Sequence, residues 1–346
     1  MTNVPMKYLE LSHIFSQFFN RESAIKYFLQ TYFPSGKTCE VHQRLCSVVL
    51  RAGGRSVFQC AEGRHQISLL HGTSLQGSRI NLQCILKLLF CYYIHTTQRQ
   101  CSMISGVCLR TISDYYCLAN SAMASLSFDR FEQIGGPGIT VQVDECILRR
   151  RKYQKGRRKQ QIWVFGAVEM KDAGGLGRSV ITRLPDRSAT SLWNAIRNCI
   201  AIGSRIWSDE WRGYSCLDRS PDYVHNTVNH SIEFMDHTTG VHTNGIESLW
   251  HQLRSFLPRN GVRSKVIDQY LGSFNGFKDL KLSFDEFLRA VLDYHFDDRE
   301  DQTLPPVSEE GIDDVPIVGA ILDEDEESDP YGVTDGTEEP EFSFES

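Results

Sequence analysis

The stretch ITVQVDECIL, from Ile139 to Leu148, decides how the chain is read. Apolar and polar residues alternate in it as they do in a half-buried strand, placing Val141, Val143 and Glu145 on one face and Gln142 with Asp144 on the other. Two further acids stand in comparable settings. RIWSDEW, from Arg205 to Trp211, is a short apolar strand that closes on Asp209, and the helical stretch GIESLWHQLRSFL, from Gly245 to Leu257, carries Glu247. Taken singly, each acid reads as a surface residue. Taken together, they suit a site for two divalent cations. Mg²⁺ and Mn²⁺ prefer hard oxygen ligands, and two such ions about 3.5–4 Å apart stabilise both the attacking and the leaving oxygen of a phosphodiester displacement. The expected chemistry is that of a nuclease or polynucleotidyl transferase, with Asp144, Asp209 and Glu247 as catalytic metal ligands.

The elements between these acids fit one architecture. QIWVFGAVEM and SVITRL continue the strand pattern after ITVQVDECIL, and SATSLWNAIRNCIAIG reads as a helix with Ser188 as its N-cap. The acid-ended strand follows, then VHNTVNH, then the helix of Glu247. Three antiparallel strands, a helix, a strand with an acid at its end and a helix bearing the last acid form the order expected of an RNase H-like α/β domain, a mixed sheet flanked by helices, over residues 138–296. Glu145 faces away from Asp144 and is a decoy. His251 and Arg254 share the helical face of Glu247 and are placed to hold a DNA phosphate. Leu249, Leu253 and Phe256 take its buried side. Asn244, like His242 just before the helix, reads as either a DNA contact or a helix-entry residue.

Between the first two strands runs RRRKYQKGRRK, with eight basic residues among eleven: Arg149, Arg150, Arg151, Lys152, Lys155, Arg157, Arg158 and Lys159. So many like charges on one hairpin tip call for an anion, and nucleic acid is the expected one.

Upstream, residues 1–35 show an amphipathic pattern of one or two helices. Residues 36–78 change to short strands and turns, with a hairpin around Gly53-Gly54 flanked by Cys39-x2-His42 and Cys60-x4-His65. Cys39, His42, Cys60 and His65 resemble the ligand set of a small zinc ribbon, with Cys46 as an additional candidate. A zinc site and a ribbon that has lost its metal both stand open. Residues 79–134 read as helices, and the turn at Gly106 before a helix carrying Arg110, Thr111 and Ser113 has helix-turn-helix proportions. Gly135-Gly136-Pro137-Gly138 then breaks the chain.

The residues Val143-Asp144-Glu145, Trp207-Ser-Asp-x-Trp-x-x-Tyr214, Val228-Asn-His-Ser231 and, most specifically, FMDHTTGVHTNGIESLWHQLRSFLPR from Phe234 to Arg259 resemble those of DDE transposases of the Merlin type, akin to bacterial insertion-sequence transposases. The resemblance runs from about Lys37 to His295. It implies an RNase H-like catalytic fold, a DDE metal triad at Asp144, Asp209 and Glu247, an N-terminal zinc ribbon and helical DNA-binding region, and recognition of terminal inverted repeats. It also implies strand transfer into target DNA and a homo-oligomer that joins two ends. A host-adopted, catalytically silent DNA-binding protein is the alternative, and a junction-type nuclease of the same fold a third reading.

Charge agrees with a polyanionic partner. The net charge of −6 divides near Phe296: residues 297–346 hold 19 Asp/Glu and one basic residue, and the preceding 296 residues carry 36 Lys/Arg against 24 Asp/Glu. The acidic tail is expected to be disordered, either solubilising or competing with nucleic acid for the basic body. No apolar run reaches the length of a membrane span, and no secretory leader is readable. The expected location is the nucleus in a eukaryote and the cytoplasm otherwise.

Overall fold

The computed structural model describes residues 6–51, 56–148, 161–171, 175–228, 244–258, 262 and 264–295. The first apolar repeats fold into α1 (Met6–Ser16) and α2 (Arg21–Tyr32), the latter opened by Asn20, whose side chain accepts from the backbone N–H groups of Glu22 and Ser23. A small antiparallel sheet follows, β1 (Ser47–Leu50), β2 (Ser56–Gln59) and β3 (Gln66–Ser68), in that spatial order. Then come α3 (Leu82–Tyr93), α4 (Gln98–Ser105) and α5 (Leu109–Asp129). A capping box of Thr97 and Gln100 starts α4, and Gly106 ends it at φ 71°, the left-handed conformation that lets the chain reverse into α5.

The central sheet is built from β5 to β7 and β9 to β10. A two-residue strand β4 (Ile134–Gly135) precedes β5 (Thr140–Ile147), β6 (Trp163–Met170) and β7 (Leu176–Leu184). Next are α6 (Ala189–Cys199), β8 (Ile200–Ala201), which pairs with β4, β9 (Arg205–Asp209) and β10 (Val224–Val228). The chain continues through α7 (Asn244–Phe256), α8 (Ile267–Asp279) and α9 (Phe284–Asp293). Spatial order is β10-β9-β5-β6-β7; β5, β6 and β7 run antiparallel in turn, while β9 is parallel to β5 and β10 parallel to β9.

Alternation along the strands feeds two cores. Val141, Val143, Phe165, Ala167 and Ile206 bury against Leu192 and Ile196 of α6, whereas Val164, Val168 and Ile181 bury against Ile246, Leu249, Trp250 and Leu253 of α7 and Leu271 and Phe274 of α8. The β7 edge is closed by α8: the Asn275 side chain accepts from Ile181 N (3.0 Å) and donates to Ile181 O (2.9 Å). Gly272 and Gly276 let α8 lie close on α5, since a Cβ on Gly272 would stand 2.8 Å from that of Ala124.

A third core joins Phe18, Phe28, Leu86, Phe90, Ile112 and Met123 to Phe58 and Leu69 of the ribbon region. Phe284, Phe287, Val291 and Leu292 complete it. The module expected over residues 138–296 includes α9, yet the apolar stripe of this helix is spent on the N-terminal helices. Each fully buried side chain of this kind contributes about 1.5–3 kcal/mol to holding the helix there.

Candidate active site

Strand register brings two of the three acids together. The parallel pairs Thr140↔Arg205, Val141↔Ile206 and Gln142↔Trp207 set a constant offset, and continuing it two residues further places Asp144 abreast of Asp209. Residues level on neighbouring strands project from the same face. The charge of Asp209 reaches Asp144: the Asp144 carboxyl is pushed up to about 7, first by burial, then by the negative charges of Glu145 and Asp209, with the Trp250 hydrogen bond pulling the other way. Asp209 itself closes a tight turn, its Oδ1 accepting from Trp211 N at 3.1 Å.

Helix α7 is pinned onto this face at two points. Gln142, fully buried, accepts from Ile246 N through Oε1 at 3.0 Å, and Trp250 Nε1–H donates to Asp144 Oδ2 at 2.8 Å. Two glycines make the docking sterically feasible. Gly166 pairs with Asp144 across β5 and β6, and a Cβ on it would lie 2.5 Å from Trp250 Cη2; a Cβ on Gly245 would lie 2.6 Å from Gln142 Oε1. Glu247 sits between the two pins, exposed in the first turn of α7. The oxygens of Asp144, Asp209 and Glu247 do not all fall within 4.8 Å of one another; among the described residues the one trio of ligand atoms that does is Cys39, His42 and Cys60. His251 and Arg254 are exposed further along α7. The eight basic residues Arg149, Arg150, Arg151, Lys152, Lys155, Arg157, Arg158 and Lys159 belong to the connection between β5 and β6, and they and His242 lie outside the described residues. Asn244 is the first residue of α7.

Sequence reading missed Gln142, Gly166 and Trp250 as supports of the site. The signal open to it was the glycine, which in a strand interior marks a close approach of another element.

Behind β9 lies an arrangement with the shape of an acyl-transfer triad. Ser208 Oγ is 2.9 Å from His225 Nε2, and His225 Nδ1 is 2.6 Å from Asp218 Oδ1. Ser208 is wholly buried, and its hydroxyl donates to Asp209 O at 2.7 Å, so no substrate carbonyl can reach it. Its work is to tie β9 to β10.

The ribbon region gathers softer ligands. His42 Nδ1 is 3.7 Å from Cys39 Sγ and 3.5 Å from Cys60 Sγ. The His65 ring lies 5.2 Å from that of His42, and Gly63 leaves the space for both, since a Cβ there would stand 2.4 Å from His42 Cε1 and 2.6 Å from His65 Nε2. The Cys60 thiol is lowered to about 7, chiefly by the Gly63 N–H, against burial. Burial, followed by the charges of Cys39 and Cys60, raises Cys46, so it stands within electrostatic reach of the cluster. Two thiols and an imidazole in this arrangement could hold a metal ion, and zinc is the ion their chemistry suits. In the helical region, Arg110 and Ser113 are exposed at the start of α5 and Thr111 is half-buried.

The fold and site together are those of a mixed α/β unit with paired strand acids and a third acid on a docked helix. Residues 136–275, from the glycine turn before β5 to within α8, match the family model of the ISXO2-like transposase domain, a DDE transposase family. The match spans all three acids and supports a transposase function for this segment. No curated protein matches the chain. No described helix is long and apolar enough to cross a membrane.

Proposed function

We propose that this chain is a DDE transposase of the Merlin type, which cuts DNA at the terminal inverted repeats of a mobile element and joins the freed 3′ ends to target DNA. The observation that carries the reading is the β5–β9 register, which, continued two residues past its last pair, puts Asp144 level with Asp209, together with the pinning of α7, the helix of Glu247, to Asp144 through Trp250. Three antiparallel strands followed by two parallel ones on the β5 side agree with an RNase H-like order.

The donor set fits hard cations: three carboxylates, of which Asp144 is buried and raised first by that burial and then by the charges of Glu145 and Asp209. Asp144, Asp209 and Glu247 would hold two Mg²⁺ or Mn²⁺ ions, which when bound supply charge stabilisation at the attacking and leaving oxygens. Trp250 engages Oδ2 of Asp144 and Trp211 N engages Oδ1 of Asp209, which fixes how each carboxylate is turned. Because the Asp144 proton must leave before a cation is held, loading strengthens as pH rises through about 7. His251, Arg254 and the basic β5–β6 connection grip phosphates, and α5 presents Arg110 and Ser113 to the DNA. Cys39, His42 and Cys60, with His65 beside them, would hold one structural Zn²⁺. Joining two ends calls for a homo-oligomer, working wherever its DNA is, in a nucleus or otherwise in the cytoplasm.

The test is cleavage of a duplex bearing the element's end, with Mg²⁺ or Mn²⁺, by the full chain and by Asp144→Asn. Cleavage that vanishes in the variant while DNA binding persists supports the reading; a variant that cuts as well as the parent ends it.

A further inference from the structure

We propose that Glu145, Arg187, Trp211 and Tyr214 form a positioning network that holds Asp209 at its distance from Asp144, working from the face of the sheet opposite the acids. The proposal rests on the reading of Asp144 and Asp209 as cation ligands.

Glu145 is the residue after Asp144 and projects from the other side of β5, where its side chain is wholly buried. A buried carboxylate is tolerated only when its oxygens are satisfied and its charge is paired. Both conditions are met. Arg187 Nε–H donates to Oε1 at 2.6 Å, and the Tyr214 hydroxyl donates to Oε2. Arg187 comes from the turn before α6, and Tyr214 from the loop that follows β9. The guanidinium also lies 3.8 Å from the centre of the Trp211 ring, with Trp163 at 5.4 Å.

Trp211 is the link back to the acids. Its backbone N–H donates to Asp209 Oδ1. Its indole N–H is buried with no hydrogen-bond partner, so its orientation is set by the stack on Arg187 and not by polar satisfaction. Gly213 is required beneath it, because a Cβ there would stand 2.5 Å from Trp211 Nε1. One continuous path therefore runs from Asp144 through its neighbour Glu145 to Arg187, then Trp211, then Asp209. Tyr214 closes a second path from Glu145 to the same loop. Both paths begin next to one acid and finish at or near the other. The pattern also explains why a Glu follows the first acid, and why a Trp and a Tyr stand two and five residues after the second.

The experiment uses the full chain and reads Mn²⁺ binding by electron paramagnetic resonance, alongside urea unfolding and the Mn²⁺ dependence of DNA cleavage. Tyr214→Phe and Glu145→Gln keep shape while removing one bond or the charge. The expected result is a half-saturating Mn²⁺ concentration raised about 10–100-fold, the usual cost of losing an outer partner of a metal ligand, with cleavage largely recovered at saturating Mn²⁺. A purely structural role would shift the unfolding midpoint and leave the half-saturation unmoved. If Asp144→Asn abolishes Mn²⁺ binding and neither conservative variant moves it, the positioning role alone is overturned. If Asp144→Asn binds Mn²⁺ like the parent, the reading of the acid face falls, and the positioning role with it.

Discussion

The ribbon cluster and the acid face solve the same problem in opposite ways. Cys39, His42 and Cys60 stand with their ligand atoms within 4.8 Å of one another, drawn together by two tight turns and by contacts among themselves. Asp144, Asp209 and Glu247 do not close to that distance. Thiols and an imidazole can share hydrogen bonds, so the turns that bring them together meet no charge repulsion. Ionised carboxylates only accept, and like charges push their pKa values up. They must be set from outside, by strand register, by Gln142 and Trp250 pinning α7, and by contacts behind the sheet.

The largest effect expected from breaking this contrast is on the acid side. Asp209→Asn or Glu247→Gln should abolish DNA cleavage while the apparent Kd for DNA changes less than about threefold, because affinity comes from basic contacts. Retained cleavage in either variant, scored on gels, would remove that acid from the set.

On the ribbon side, Cys60→Ser should release bound zinc and loosen the small sheet. The chain should carry one zinc per molecule by elemental analysis and the variant close to none, with a lower Tm. Equal zinc content in the two proteins would refute the ligand assignment.

A smaller effect is expected at the pin between the two elements of the acid face. Gly166→Ala thrusts a methyl into the Trp250 indole and should destabilise by about 1–3 kcal/mol. It should also weaken cleavage through Glu247. An unchanged urea midpoint would mean that α7 does not bear on that point.

The smallest effect is a slope with pH. Asp144 has an ordinary value of 3.8 and is held at about 7 when folded, so the folded protein keeps a proton that the unfolded chain gives up. Metal-free stability should therefore fall as pH rises from about 4 to about 7, and Asp144→Asn should flatten that slope. Asp279, raised to about 6 mainly by burial, acts in the same sense over a narrower window and remains in the variant. Chelator-treated samples followed by urea denaturation would expose a slope of the wrong sign.

Much of the scaffold was legible because periodicity reports faces. The alternation in ITVQVDECIL correctly separates Asp144 from Glu145, and the α7 pattern correctly buries Leu249 and Leu253. What periodicity does not report is partners. Trp250 reads as one more apolar position, yet its indole N–H reaches an acid 106 residues away, and Gln142 reads only as the polar neighbour of Asp144 on its face, yet meets Ile246 N. Glu145 does face away from Asp144, but its bonds to Arg187 and Tyr214 depend on a loop and a turn that no local pattern ties to β5. The helix α9 was read only as part of the 138–296 module, since an apolar face fits any core of the right shape and local pattern does not say which one.

That destination has a consequence for synthesis. Phe284, Phe287, Val291 and Leu292 complete the core that α1 to α5 begin, so the N-terminal helices lack their last neighbours until residue 292 has left the ribosome. A product of premature termination within the central sheet would carry an unfinished hydrophobic surface and be a substrate for proteolysis.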